Sequence, residues 1–322
     1  SQLQTINPNV PDQLSFTAGP ASVIAGECST ALTIEVSDTY GNTINQVGGT
    51  SVTLASDTSG TANFYSDSGC GVDISSTATV TSGSSTTTIY YKDTMATSAT
   101  TITASGFTTD GTRVLAVDPA SPDSLEFYST ASDVVAGACS EAVQFRRLDQ
   151  YNNITDFASA TSVTPSGGSM VFYSDDSCSS SITTINISSG NSSNQIYFKQ
   201  SVVGTPTLTI GATGVTSATQ GQTIVSAPAH ELFFNSSTAS IVAGECSSAI
   251  NIQLKDQYSN LVAPTSGQIF TIGSSASAST TFYSDSGCST DIGTTATISS
   301  GSNNTNICFK DTLAATPTLT IS

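Results

Sequence analysis

The sequence predicts an all-β protein: three tandem Greek-key β-sandwiches, the third lacking its last strand. Three observations predict it. A set of landmarks recurs three times in one order, short apolar runs alternate with polar residues, and a strand-like segment missing at the end of the chain stands at its start.

The repeat is read first, because everything else depends on it. Ile24-Ala25-Gly26-Glu27-Cys28-Ser29 returns as Val135-Ala136-Gly137-Ala138-Cys139-Ser140 and again as Val242-Ala243-Gly244-Glu245-Cys246-Ser247. Asp38-Thr39-Tyr40-Gly41-Asn42 matches Asp149 to Asn153 and Asp256 to Asn260. Phe64-Tyr65-Ser66-Asp67 matches Phe172 to Asp175 and Phe282 to Asp285, and Ile89 to Lys92 matches Ile196 to Lys199 and Ile307 to Lys310. The spacings are 107 to 111 residues, which divides the chain into units at 12–122, 123–229 and 230–322, preceded by residues 1–11.

Within a unit the period is two. Leu32, Ile34 and Val36 alternate with Thr33 and Glu35; Ile250, Ile252 and Leu254 alternate with Asn251 and Gln253. Ile102, and later Leu319 with Ile321, keep the same period. That spacing turns one face to a core and the other to water. Turn residues separate the β-branched runs, and no segment carries a long helical period. About seven such strands in a unit of this size suit a Greek-key sandwich.

The Asp-x-Tyr-Gly-Asn turn after an alternating strand, the later Lys92-Asp93-Thr94 and the strand Thr101-Ile102-Thr103-Ala104-Ser105 resemble the bacterial immunoglobulin-like repeats of the invasin and intimin type. The resemblance covers nearly the whole chain and implies immunoglobulin-like sandwiches of a cell-surface protein. The cysteines depart from that family's commonest pattern, so no ligand is carried over.

Composition narrows the function. The chain has 322 residues, with 7 Lys and Arg against 24 Asp and Glu, a net charge of −17. A nucleic-acid binder needs a basic stripe to neutralise phosphates, and an anionic membrane needs the same; seven scattered cations build neither. With a single histidine, His230, and no tryptophan, most enzyme mechanisms lack their usual proton carriers, so no catalytic residue, cofactor or metal is expected. No run reaches the roughly 18 apolar residues of a membrane span. The expectation is a secreted, extracellular or cell-surface protein whose signal peptide has already been removed before Ser1.

Each unit carries two cysteines at matched places, which pairs Cys28 with Cys70, Cys139 with Cys178 and Cys246 with Cys288. Persistent disulfides imply an oxidising compartment; six buried free thiols are the alternative. Zinc lacks close Cys pairs or a neighbouring His. Cys308 is left unpaired, where the other units have Tyr90 and Tyr197. It reads either as a small buried apolar substitute or as the start of an intermolecular bridge.

The first unit ends in Thr112 to Pro119 and the second in Gln220 to Ser226, each after a Thr-Ile-Thr or Leu-Thr-Ile strand. The third has that penultimate strand, Thr318, Leu319, Thr320 and Ile321, and then Ser322 ends the sequence. Shifted by 218, Gln2, Gln4, Thr5 and Ile6 fall on the identical Gln220, Gln222, Thr223 and Ile224; Leu3 lies among them. Residues 1–11 therefore read as a donor strand, with Ile6 as its anchor opposite an acceptor edge of Thr318 to Ile321 flanked by Ile241 and Val242. Eleven extended residues reach about 36 Å, too short to return along three sandwiches in a row. The strand instead enters the third unit of another copy, the strand addition that pilus subunits use. A head-to-tail contact of this kind does not close and makes a filament.

The expected function is thus a structural subunit of an extracellular, pilus-like fibre whose partners are other copies of itself. An assembly chaperone or a cell-surface anchor is a further partner of such a scheme. A fragment of a long tandem-repeat adhesin or stalk would show the same two ends, and a glycan-binding surface protein is a third reading, weakened by an aromatic content of 7%. Asp38, Asp149 and Asp256 read as turn residues rather than calcium ligands. Lys92, Lys199 and Lys310 read as snorkelling lysines, and His230 as a linker residue. Asn153, Asn186, Asn191, Asn235 and Asn303 begin glycosylation triplets.

Overall fold

A computed structural model describes every residue except Ser59, Phe157, Ala158 and Ala239. Among the described residues there is no helix, and the strands group into immunoglobulin-like sandwiches. The first holds β1 (Gln13–Ala18), β2 (Ser22–Ile24), β3 (Leu32–Ser37), β4 (Thr50–Ser56), β5 (Asn63–Tyr65), β6 (Asp73–Ser75), β7 (Thr77–Val80), β8 (Thr86–Lys92), β9 (Thr97–Ser105) and β10 (Gly111–Asp118). One sheet runs β1-β3-β8-β5-β6 and the other β2-β10-β9-β4-β7.

The second holds β11 (Pro122–Phe127), β12 (Asp133–Val135), β13 (Val143–Asp149), β14 (Thr161–Ser166), β15 (Val171–Tyr173), β16 (Ser181–Ile182), β17 (Ile185–Ile187), β18 (Ser193–Lys199), β19 (Thr207–Gly211), β20 (Ala218–Gly221) and β21 (Thr223–Val225). The third holds β22 (Ala229–Phe234), β23 (Ile250–Asp256), β24 (Gln268–Ser274), β25 (Thr280–Tyr283), β26 (Thr295–Ile298), β27 (Asn304–Asp311) and β28 (Leu319–Ile321). Its sheets run β22-β23-β27-β25 and β26-β24-β28. His230 is thus the second residue of β22, not a linker residue; it lies exposed at a bulge, where the pairing with β23 shifts between Ala229 and Glu231.

The alternation does the folding. Leu32, Ile34 and Val36 are fully buried, while Thr33 and Glu35 between them are only half-buried. They face Val52, Leu54, Ile102 and Ala104 of the opposite sheet in one cluster. Separate clusters around Phe145, Ile196 and Leu208, and around Ile252, Phe270 and Ile307, repeat the arrangement.

Disulfides tie Cys28 to Cys70, Cys139 to Cys178 and Cys246 to Cys288, with Cα separations of 5.7, 5.7 and 5.8 Å. The second cysteine of each sits in the left-handed region, at φ 50°, 49° and 49°. An aspartate three residues earlier makes that turn. Asp67 accepts from the Val72 N–H, Asp175 from Ser180 and Asp285 from Thr290 at 2.6 to 2.7 Å.

Candidate functional site

In the first two units the last strand is hydrogen-bonded on both sides. β10 runs antiparallel to β9 and parallel to β2, placing Val117 opposite Val23. In the second unit β20 pairs with β19, and β21 runs parallel to β12 with Ile224 opposite Val134. Parallel pairing inside a single sandwich arises because the opening strand switches sheets, so β2 and β12 lie beside a strand that runs the same way. The apolar residues concerned are closed off from water: Val23, Val117, Val134 and Ile224 are at most 6% exposed.

Among the described residues, the third unit has no strand in that place. β28 pairs with β24 alone, Ile272 opposite Ile321 and Ser274 opposite Leu319. Thr318 prolongs this pairing, its carbonyl accepting from the Ser275 N–H at 3.0 Å. Leu319 and Ile321 are only partly buried, whereas the corresponding Leu208 and Ile210 are fully buried. Ile241, Val242 and Ala243 form no strand. Ile241 leans on the core, Val242 is 72% exposed, and Ala243 is exposed where Ala25 and Ala136 are buried. The N–H groups of Ala25 and Ala136 donate to the carbonyls of Asp118 and Val225.

The segment expected to act as donor packs on no core. Gln2, Leu3, Gln4, Thr5 and Ile6 form no strand and are exposed; Ile6 is 93% exposed where its counterparts Val117 and Ile224 are 1% exposed. The segment is held at Asn9, whose N–H donates to Asp38 Oδ2 at 2.9 Å.

That contact belongs to a junction the sequence did not disclose. Asp38, Asp149 and Asp256 each accept from the N–H groups two and four residues on and from the side chain of the following Asn. The remaining acceptor capacity takes the incoming linker: Asn9 for Asp38, Ala120 for Asp149 and Ala227 for Asp256. Burial alone would raise the Asp38 carboxyl, but the bonds from Asn42, Asn9 and Tyr40 outweigh it and hold the group at about 2. These carboxylates are thus turn-makers and linker clamps.

The same turns grip the preceding unit. Asn153 donates to the Thr94 carbonyl and accepts from the Ala96 N–H, both at 2.9 Å. Asn260 does so with the Ser201 carbonyl at 2.7 Å and the Val203 N–H at 3.1 Å. The Tyr151 hydroxyl lies against Gly26, and that of Tyr258 against Gly137, where an added Cβ would collide with the ring. Asn153 is half-buried in this junction, its amide spent on two acceptors, which leaves no room for a glycan. An aromatic residue at the centre of every Asx turn was the available signal, since the turn itself requires none.

Cys308 is a buried free thiol, 2% exposed. Lys199 and Lys310 extend over the rings of Tyr173 and Tyr283, 5.6 and 5.7 Å from their centroids. Among the described residues, no three His, Cys, Asp or Glu side chains are grouped to hold a metal.

The sequence matches no protein-family model and no curated protein. Similar solved structures include domains 4–9 of the surface layer protein SbsC, with 14% identity over 97% of this chain and 45% of that one and a TM-score of 0.30. They include the Escherichia coli adhesin FdeC, with 12% identity over 98% of both chains and a TM-score of 0.40. A third is invasin, a bacterial integrin-binding protein, with 13% identity over 96% of this chain and 55% of that one and a TM-score of 0.36. Structures similar to this chain thus include bacterial adhesins and a surface-layer protein. At such scores the sandwich rests on strand order and register, not on the likeness.

Proposed function

We propose that the protein is a structural subunit of an extracellular filament, joined head-to-tail by insertion of residues 1–11 into the third unit of another copy. The observation that carries this is the complementarity of two surfaces on one chain. Ile6 is 93% exposed on a segment matching β21, and β28 offers an unpaired edge beside half-buried Leu319 and Ile321. Open edges template a further strand, and the slot leaves apolar side chains wet. In the register of the complete units, Ile6 comes opposite Ile241 and Gln2 opposite Leu319. The Ala243 N–H then donates to the Asn7 carbonyl, as Ala136 donates to Val225. Before insertion, the same slot suits an assembly chaperone. The three disulfides support an oxidising, extracellular setting.

A second reading, a stretch of a longer tandem-repeat stalk or adhesin, draws on the same complementarity, with neighbouring units of one polypeptide in place of separate copies. Electron microscopy of the purified chain separates the two. Filaments from the full chain, and soluble monomers from a chain lacking residues 1–11, support the proposal. Monodisperse full-length monomer at high concentration overturns it in favour of the stalk.

A further inference from the structure

We propose that a second contact, independent of the inserted strand, locks adjacent copies together: the Tyr40–Asn42 turn of one copy seats on Gly244 and the Thr312–Ala314 segment of the next. The inference rests on the head-to-tail reading and names the interface that reading leaves open.

The two junctions inside the chain are its template. In each, a Tyr hydroxyl sits on a glycine of the preceding unit, Tyr151 on Gly26 and Tyr258 on Gly137. In each, the Asn two residues on bridges a carbonyl and an N–H of that unit's post-strand loop, Thr94 and Ala96 for Asn153, Ser201 and Val203 for Asn260. Both halves recur, unused, at the ends of the chain. Tyr40 is 81% exposed against 41% for Tyr258, and Asn42 is exposed where Asn153 and Asn260 are half-buried. Gly244 has the backbone of Gly26 and Gly137, φ 87° against 79° and 78°, yet nothing lies within 4 Å of a Cβ placed on it. Thr312, Leu313 and Ala314 stand exposed at the places of Thr94 to Ala96, Leu313 at 62%.

The linker makes the seat reachable. Asp38 already holds Asn9 as Asp149 holds Ala120 and Asp256 holds Ala227. A strand inserted through residues 1–7 therefore leaves the neighbour's third unit at the point from which an internal linker leaves, and brings the Tyr40 turn to the place of Tyr151. The occupant is a second copy of this chain, because the seat repeats, position for position, what the chain's own turns fill.

Tyr40→Ala tests this in the full chain, since the exposed side chain supports nothing in the isolated subunit. The critical concentration for filament formation is expected to rise at least about tenfold, the loss of one well-packed contact. Gly244→Asn, which tolerates a left-handed backbone, fills the seat from the other side and should act alike. A synthetic peptide of residues 1–11, added in excess to each full-length variant, should still compete for the slot and shorten filaments. If Tyr40→Ala and Gly244→Asn assemble as the parent does while the peptide still competes, the interlock is wrong and strand donation stands. If the peptide does not compete and the parent does not assemble, strand donation falls and the interlock with it.

Discussion

The backbone N–H of Asn9 donates to Asp38 Oδ2 at 2.9 Å, the bond that Ala120 makes to Asp149 at 2.9 Å and Ala227 to Asp256 at 3.0 Å. The turn aspartate therefore fixes where a linker enters in each of the three units. Removing it should be costly. In Asp149→Ala the N–H groups of Ala120, Tyr151 and Asn153 lose their acceptor together. A loss of about 3 kcal/mol is expected for the second unit, because unpaired buried donors carry their full desolvation penalty. Urea unfolding followed by amide exchange at Tyr151 and Asn153 reads it. Unchanged exchange would show that the turn stands without its carboxylate.

Acid should loosen the turns in a defined window. Asp38 and Asp285 are held at about 2, below the ordinary 3.8. For Asp285 the N–H groups of Ser289 and Thr290 are the cause; Asp67 is lowered by the N–H groups of Gly71 and Val72, and Asp175 by the Ser177 hydroxyl and then the Ser179 N–H. A carboxyl depressed in the folded state stabilises fully above its unfolded value and loses that contribution as pH falls through the folded one. The melting temperature should be nearly flat from pH 7 to about 5, then decline from about 4 towards 2. A melting temperature that rises on acidification would contradict the hydrogen-bonding scheme.

Each disulfide closes a long loop by joining two segments that lie outside the strands. For Cys139 and Cys178, 39 residues apart, the chain-entropy argument gives about 4 kcal/mol. The double variant Cys139→Ser, Cys178→Ser should lower the second unit's stability by about that amount in calorimetry. A loss under about 1 kcal/mol would mean that the Asp175 turn alone holds the loop.

Cys308 should be silent. It is buried, and burial, with Asp285 nearby, pushes its thiol up. Thiol reagents at pH 8 should leave it unlabelled in the native protein and label it on unfolding. Cys308→Ala should assemble normally. Rapid native labelling, or filaments that require this cysteine, would favour an intermolecular bridge.

Much of the architecture stands in the sequence because a sandwich writes its core in period two. Leu32, Ile34 and Val36 announce a buried face before any coordinates do, and the turn residues between strands mark where each run ends. The matched cysteines stand out by repetition for the same reason. The junctions do not. Tyr151 and Asn153 act on Gly26 and Thr94, across 125 and 59 residues of chain. Local patterning carries no trace of which unit's backbone a turn will meet. Within one unit, the Asx turn explains Asp149 and Asn153 completely, and Tyr151 alone is left over to signal a second task. His230 fails for a different reason: an exposed bulge at the start of a strand tolerates almost any polar residue and breaks the alternation, so its neighbourhood looked like a linker.

The assembly scheme is most sharply exposed at Ile6. In the complete units the matching Val117 and Ile224 lie 1% exposed opposite Val23 and Val134. Transfer of Ile6 from its 93% exposed state into the Leu319 and Ile321 slot should contribute about 2 to 3 kcal/mol, the gain from burying an aliphatic side chain. Ile6→Asp removes that gain and places an unpaired charge in apolar surroundings, which proteins avoid at a cost of several kcal/mol. The critical concentration for filament formation should then rise by more than about a hundredfold. Ile6→Val loses a single methylene, about 1 kcal/mol, and should assemble with only a several-fold penalty. Because residue 6 touches no core in the isolated subunit, both variants should melt as the parent does. Filaments of ordinary yield and length from Ile6→Asp would remove Ile6 as the anchor. A graded loss from Val to Asp, with unchanged melting, would tie assembly to the burial of this one side chain.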